Sequence, residues 1–175
     1  MPPGLTPRRA SGKVRSAFTA TWKTAMPLLR RLACLTLLLM LGGCASAGSH
    51  WVELAGTRYH VELAQDDATR ARGLMFRDQM DADHGMLFIH ERQEPQAYWM
   101  KNTKIALDIL YFDNARRLVG QQRDVPPCSA GDACPPYPSF KPARYVLELN
   151  AGQAAKLKLE DGAELVFGPG IPKAE

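Results

Sequence analysis

Ile105-Ala-Leu-Asp-Ile-Leu-Tyr-Phe112, with the pair Asp113-Asn114 behind it and Arg117–Arg123 beyond, decides the fold class. The run is short and apolar and ends on two turn-forming residues, which predicts a buried strand leading into a hairpin. Along it Leu107, Ile109 and Tyr111 face one way and Asp108, Leu110 and Phe112 the other, because strand side chains alternate. Working outward, Gly85–Ile89 and Ala97–Met100 read as two further buried strands. Tyr145, Leu147 and Leu149 alternate with Val146, Glu148 and Asn150 in another. Trp51–Leu54 and Tyr59–Leu63 alternate around Gly56-Thr57 as an opening hairpin, and Ala163–Phe167 follows the turn pair Asp161-Gly162. Only Gln65–Met75 changes period. Asp66 or Asp67 can cap a helix there, with Ala68, Ala71, Leu74 and Met75 on one face and Gly73 at its end. Ala151–Leu157 fits a short helix or a hairpin arm equally well. The expectation is a mainly β, single compact domain over 51–168. It is a β-sandwich or barrel with one or two short helices, and 169–175 form a loose tail.

The chain has 175 residues, 46% hydrophobic and 23% charged, which are globular proportions and argue against disorder. Its formal charge of +4 is unevenly placed. Residues 1–43 hold seven of the 22 Lys and Arg and none of the 18 Asp and Glu, so the remainder carries 15 basic against 18 acidic groups. A net of −3 does not suit a phosphate-binding surface, and nucleic acid is not an expected partner.

The basic segment has the layout of an export signal. Arg30-Arg31 precedes the ten-residue run Leu32–Leu41, followed by Gly42-Gly43-Cys44. That run is too short to cross a bilayer, which takes about 20 helical residues. Met26 opens a signal of ordinary length and is an alternative translation start. Leu-Gly-Gly-Cys resembles the lipobox of bacterial lipoproteins, which implies removal of 1–43, acylation of Cys44 and a tether over 44–50. Ala45-Ser46 places no Asp after Cys44, and by the same resemblance this favours the outer membrane. From Ala45 to His50 the tether spans under roughly 25 Å. The expected location is the cell envelope, lipid-anchored at the periplasmic face of the outer membrane.

With Cys34 in the leader and Cys44 as anchor, Cys128 and Cys134 remain. In an oxidising compartment two nearby cysteines read as a disulfide. Neither a second ligand pair for a metal nor a Cys-x-x-Cys spacing accompanies them.

Chemistry concentrates in Tyr98-Trp-Met-Lys-Asn-Thr-Lys-Ile-Ala-Leu-Asp108. Asp108 shares a strand face with large apolar neighbours, so it needs a cation or several N–H partners. Lys101, Lys104, Arg72 and Arg144 are the available cations, and Asn102-Thr103 supply polar groups at a turn. Met75, Met80, Met86 and Met100 fall close to His84 and His90, a set able to bind Cu(I) but equally able to fill a core. No nucleophile elbow or phosphate loop occurs, so no cofactor and no resident metal is assigned.

These stretches together resemble a known family. Arg72-Gly-Leu-Met-Phe-Arg77, Gly85-Met-Leu-Phe88, Trp99-Met-Lys-Asn-Thr103 with Asp108, Val125-Pro-Pro-Cys128 with Cys134-Pro135 and Tyr137, and Ala143–Gly152 resemble the domain of unknown function 192. The resemblance implies a compact β domain found in exported and lipid-anchored forms, with no established activity. It makes Lys101, Asn102, Asp108, Arg144 and Glu148 the matching polar positions. The expected function is a non-enzymatic binding module for a small envelope ligand or protein partner. Its pocket lies around Trp99–Asp108, with Arg72, Thr103, Arg144 and Glu148 nearby and Trp99 or Tyr137 as stacking surface. One alternative is an envelope hydrolase or lyase using Asp108 with Lys101 or Arg144; another is a Met/His copper-binding protein.

Overall fold

The computed structural model describes residues 50–173, so the expected signal, Cys44 and all of the tether except His50 lie outside the described residues. Seven strands form one sheet: β1 (Trp51–Leu54), β2 (Thr57–Ala64), β3 (His84–Trp99), β4 (Leu107–Phe112), β5 (Leu118–Val125), β6 (Pro136–Asn150) and β7 (Leu165–Phe167). Their order is β5-β4-β6-β3-β2-β1-β7. Neighbours run antiparallel except β2 and β3, which are parallel. A parallel pair needs a crossover rather than a tight turn. Here residues 65–83 supply it and hold the short helix α1 (Asp67–Arg72). Asp66 caps α1 by accepting the Thr69 N–H at 2.8 Å, and Gly73 ends it at φ +46°.

The sheet curls until its edges meet at one end. The Leu118 N–H donates to the Ala163 carbonyl and the Leu165 N–H to the Arg116 carbonyl, each at 2.9 Å. This is a half-closed barrel, so of the two β architectures expected the barrel describes the molecule.

Two apolar cores follow from the curl. All seven strands contribute to the interior, which holds Leu54, Tyr59, Leu87, Leu110, Leu118, Leu147 and Leu165. On the outer face Met86, Phe88, Leu107, Ile109, Tyr111 and Val146 are covered by Leu74 from the crossover. Strand β4 is therefore buried along its whole length, on both faces.

Four local expectations need correction. Gly85–Ile89 and Ala97–Met100 are not two strands: residues 85–89 and 97–99 belong to the single strand β3. Its register against β6 slips between Ile89 and Glu94 and again between Pro95 and Ala97. Strand β6 extends back to Pro136, because a proline keeps an extended φ and is tolerated at irregular pairings where its missing N–H is not needed. Helix α1 buries none of its residues, and Leu74 reaches the core from beyond the Gly73 cap. The tail is not loose at Ile171, which packs into the interior at 5% exposure. Ala151–Leu157 resolves as the short helix α2 (Gln153–Lys156).

Candidate functional site

Glu148 projects from β6 between Met86 of β3 and Ile109 of β4, on the outer face. It is 4% exposed, and no described residue gives its carboxyl a hydrogen bond. A cleft of about 220 Å³ opens onto it. One wall is the crossover from Arg70 to Met75, the other is the far half of β3 with His90 and Gln96–Trp99, and Lys101 and Thr103 complete the rim. The double register slip in β3 is what makes this wall, since bulges bend a strand and re-aim its side chains.

The walls are stapled. Arg77 grips Glu62 with two hydrogen bonds of 2.6 Å, tying the crossover to β2. The Phe76 N–H donates to the Asn102 carbonyl at 2.8 Å, and the Asn150 amide donates to the carbonyls of Met80 and Asp81 at 3.0 Å. Behind the rim a Cys128–Cys134 disulfide forms, as the sequence led us to expect. Cys128 pairs with the backbone of Lys101 and Thr103, and the loop that the disulfide closes brings Asp132 onto the Lys101 ammonium.

Burial sets the charge states. It pushes the Glu148 carboxyl up to about 8, so at pH 7 this acid is mostly protonated and can donate as well as accept. Burial, and then the nearness of Glu148, raises the hydroxyls of Tyr98 and Tyr111 above the usual phenol range. His90 is lowered by burial and by the Arg70 charge and is neutral at pH 7. Its Nε2 lies 3.0 Å from the Tyr98 hydroxyl. Arg70 is occupied by the carbonyls of Gln65 and Ile89 and by Asp67. The guanidinium of Arg72, exposed on the cleft wall, has no ion pair or hydrogen bond among the described residues. Trp99 is 45% exposed, and the Lys101 ammonium stands 4.9 Å from its ring centre.

The structure thus brings together Arg72, Trp99, Lys101, Thr103 and Glu148 from the sequence-derived set. It separates the others. Asp108 is fully buried on the interior side and needs no cation: its Oδ1 accepts the Asp124 N–H at 2.8 Å and its Oδ2 the Ala154 N–H at 2.7 Å. The expected ion pair to Lys101, Lys104, Arg72 or Arg144 is replaced by backbone donors. Asp108 does not line the cleft, so the pairing of Asp108 with Lys101 or Arg144 is not assembled. Tyr137 is not a cleft surface; its carbonyl accepts the Tyr111 hydroxyl at 2.5 Å. Asn102 sits behind the rim at φ +55°, holding Phe76. Arg144 lies at the first register slip, 6.0 Å from the Tyr145 ring centre, with its Nε buried and unpaired.

The methionine and histidine set is divided: Met75 and His90 line the cleft, and the others lie elsewhere. Met86 and Met100 are core residues. His84 pairs with Asp83 and tilts against His60, six residues along β3 from His90, or roughly 20 Å. Among the described residues no three His, Cys, Asp or Glu gather around a metal position. Sequence reasoning missed Tyr98 and the role of His90 in the cleft. Their signal lies in the bend of β3, which no periodicity announces.

The model of the family DUF192, described as "Uncharacterized ACR", matches residues 50–167. No curated protein matches the chain. Two crystal structures are similar. One, a protein from Sinorhizobium meliloti 1021 provisionally assigned as a transcription regulator, is 36% identical, with a TM-score of 0.61 over 67% of this chain and 91% of that one. The other, a protein of unknown function from Novosphingobium aromaticivorans DSM 12444, is 31% identical, with a TM-score of 0.60 over 69% and 88% of the two chains.

Proposed function

The chain belongs to the DUF192 family, and on that premise we propose that it is an exported, lipid-anchored binding module whose cleft holds a small polar ligand. Cys44 is the acylated residue, and the domain stands at the periplasmic face of the outer membrane. The observation that carries the binding role is Glu148: a buried acid that no described residue hydrogen-bonds, in a cleft whose lining holds the exposed Trp99 and Arg72, itself unpaired among the described residues. A stable core has no use for such a group, since an unpaired buried acid destabilises the fold. A ligand that hydrogen-bonds it removes that penalty. The cleft is smaller than the roughly 300–1,000 Å³ that takes drug-sized molecules, so the ligand is a small one. The regulator assignment of the Sinorhizobium protein is not carried over, because a mature region of net charge −3 is poorly suited to DNA phosphates.

The test is mass spectrometry of the full chain extracted from its own membrane, native against denaturing. The reading expects a native mass excess that disappears in Glu148→Ala. Equal masses in the wild type, with no small molecule bound on addition, count against it.

A second reading is an envelope enzyme, favoured by the same carboxyl. An acid held near 8 beside a His90–Tyr98 pair is placed for proton transfer. In this reading Glu148 takes the role first given to Asp108. Turnover of a bound molecule, lost in Glu148→Gln while binding persists, distinguishes it.

A further inference from the structure

Resting on the binding reading and going beyond it, we propose that the cleft selects small organic anions. The anionic group lies between Arg72 and Lys101, an acceptor oxygen of the ligand takes a hydrogen bond from the Glu148 carboxyl, and the carbon skeleton lies along Trp99.

The distribution of charge on the walls carries the argument. Every charged side chain lining the cleft other than Glu148 is cationic: Arg70, Arg72 and Lys101. Arg70 is consumed by Asp67 and two carbonyls, so it fixes the wall rather than the ligand. Among the described residues Arg72 has no ion pair or hydrogen bond, and the one ion pair of Lys101 is with Asp132, a side chain 87% exposed. Such a solvent-facing pair is weak and exchangeable. Two cations are therefore available in the cleft lining, Arg72 on the crossover wall and Lys101 beside the Trp99 ring, which offers an apolar surface. A cationic ligand would meet both before reaching the floor.

The floor points the same way. The groups facing Glu148 are Arg70 and Arg72 from the crossover, His90 and Tyr98 from β3, Tyr111 from β4, and Lys101 with Asp132 at the rim. None of them hydrogen-bonds the carboxyl. Among Met86, Phe88 and Ile109 the neutral acid is favoured, and a neutral acid offers an O–H to an acceptor. A carboxylate-bearing small molecule satisfies floor and rim together, whereas an ammonium satisfies the floor only after Glu148 has lost its proton.

The experiment is titration of the full detergent-solubilised chain, followed by NMR or calorimetry, with two probe sets. The anions are acetate, lactate, succinate and benzoate; the cations are methylamine, ethanolamine, putrescine and benzylamine. At least one anion is expected to bind saturably and no cation to do so. For that anion, affinity is expected to hold between pH 6 and 7 and to fall about tenfold from pH 7 to 9 as Glu148 ionises. His90 is already neutral at pH 7, and Tyr98 and Tyr111 stay protonated, so Glu148→Gln is expected to abolish the fall. Arg72→Ala, an exposed change that leaves the core intact, is expected to weaken binding roughly tenfold or more. Binding of a cation with affinity rising from pH 7 to 9 overturns the inference, and so does the absence of binding by every anion. A retained cationic or uncharged ligand in the native mass would overturn the anion selectivity while leaving the binding module standing.

Discussion

Glu148 gives a stability signature that can be read without knowing any ligand. Its carboxyl titrates near 8 in the folded protein and near 4.5 in the open chain. Between those values the unfolded state binds fewer protons than the native state, so stability falls as pH rises. This is the reverse of a salt-bridged acid. At pH 7 the deficit amounts to about 3 kcal/mol, present in full only where the free carboxyl is ionised. Glu148→Gln is therefore expected to be more stable relative to wild type at pH 7 than at pH 4 by that amount, and urea unfolding at the two pH values measures it. A constant difference would mean that Glu148 is ionised in the fold. Asp108 gives the opposite result. Its two oxygens satisfy two backbone N–H groups, one at Asp124 and one at the start of α2, so Asp108→Ala strands both. Each unsatisfied buried donor costs about 1–3 kcal/mol, and the loss is expected in unfolding free energy. Anion affinity of the folded fraction should stay unchanged. These two acids also show what a sequence hides. In the sequence only Asp108 reads as buried, because Glu148 alternates onto the face of Val146 and Asn150, and only the three-dimensional path of Asp124 and Ala154 reveals that Asp108 is satisfied.

At the scale of elements, the site depends on how closely β3 and β6 approach. Gly85 starts that contact: a Cβ there would lie 2.6 Å from the Glu148 carbonyl and 2.7 Å from the Leu149 side chain. Backbone cannot yield as a side chain tip can, so Gly85→Ala is expected to destabilise by about 2 kcal/mol and to displace Glu148. Thermal unfolding and loss of ligand affinity would be seen together, and an unperturbed variant would show that β6 shifts freely. The disulfide acts on a different part of the rim. Its loop is short, with a sequence separation of 6, so removing it by Cys128→Ala and Cys134→Ala is expected to cost about 2 kcal/mol. The same change frees the loop carrying Asp132, and denaturant titration with and without reductant tests the energetic half. Strands β1, β4 and β7 were legible in the sequence because each is short and largely apolar, and the polar β5 because the turn pair Asp113-Asn114 announces a hairpin partner for β4. The extended ribbon of β3 and β6 was not. Its residues, from Glu91 to Gln96 and from Pro136 to Pro142, are polar or proline-rich because they leave the barrel, and such composition ordinarily marks a loop. The cleft lies where that ribbon bends, which is why Trp99 and Lys101 were assigned to a pocket while Tyr98 received no role and His90 was read only as a copper ligand.

Across the whole molecule the charge is divided: residues 1–43 carry seven basic groups and no acid, and everything beyond is net −3. That division separates two ways of staying at a membrane. A basic domain could be held by anionic lipid head groups, each Lys or Arg near the surface adding about 1 kcal/mol. A mature chain of net charge −3 has no such excess of cations, so in the proposed reading attachment rests on acyl chains at Cys44, several of which hold far more firmly than one. Electrostatic attachment weakens as salt rises, because counterions screen exposed charges over about 8–10 Å at physiological ionic strength. Acyl insertion does not. The wild-type protein is therefore expected to remain in the membrane fraction through a high-salt wash and to incorporate labelled palmitate. Cys44→Ala is expected to lose the label and to leave the membrane fraction. Anion affinity should be the same in both, since every residue that lines the cleft lies between Arg70 and Glu148. Retention of an unlabelled Cys44→Ala protein at high salt would point to a protein partner in the membrane in place of the lipid, and the binding module would then have to be read as one half of a complex.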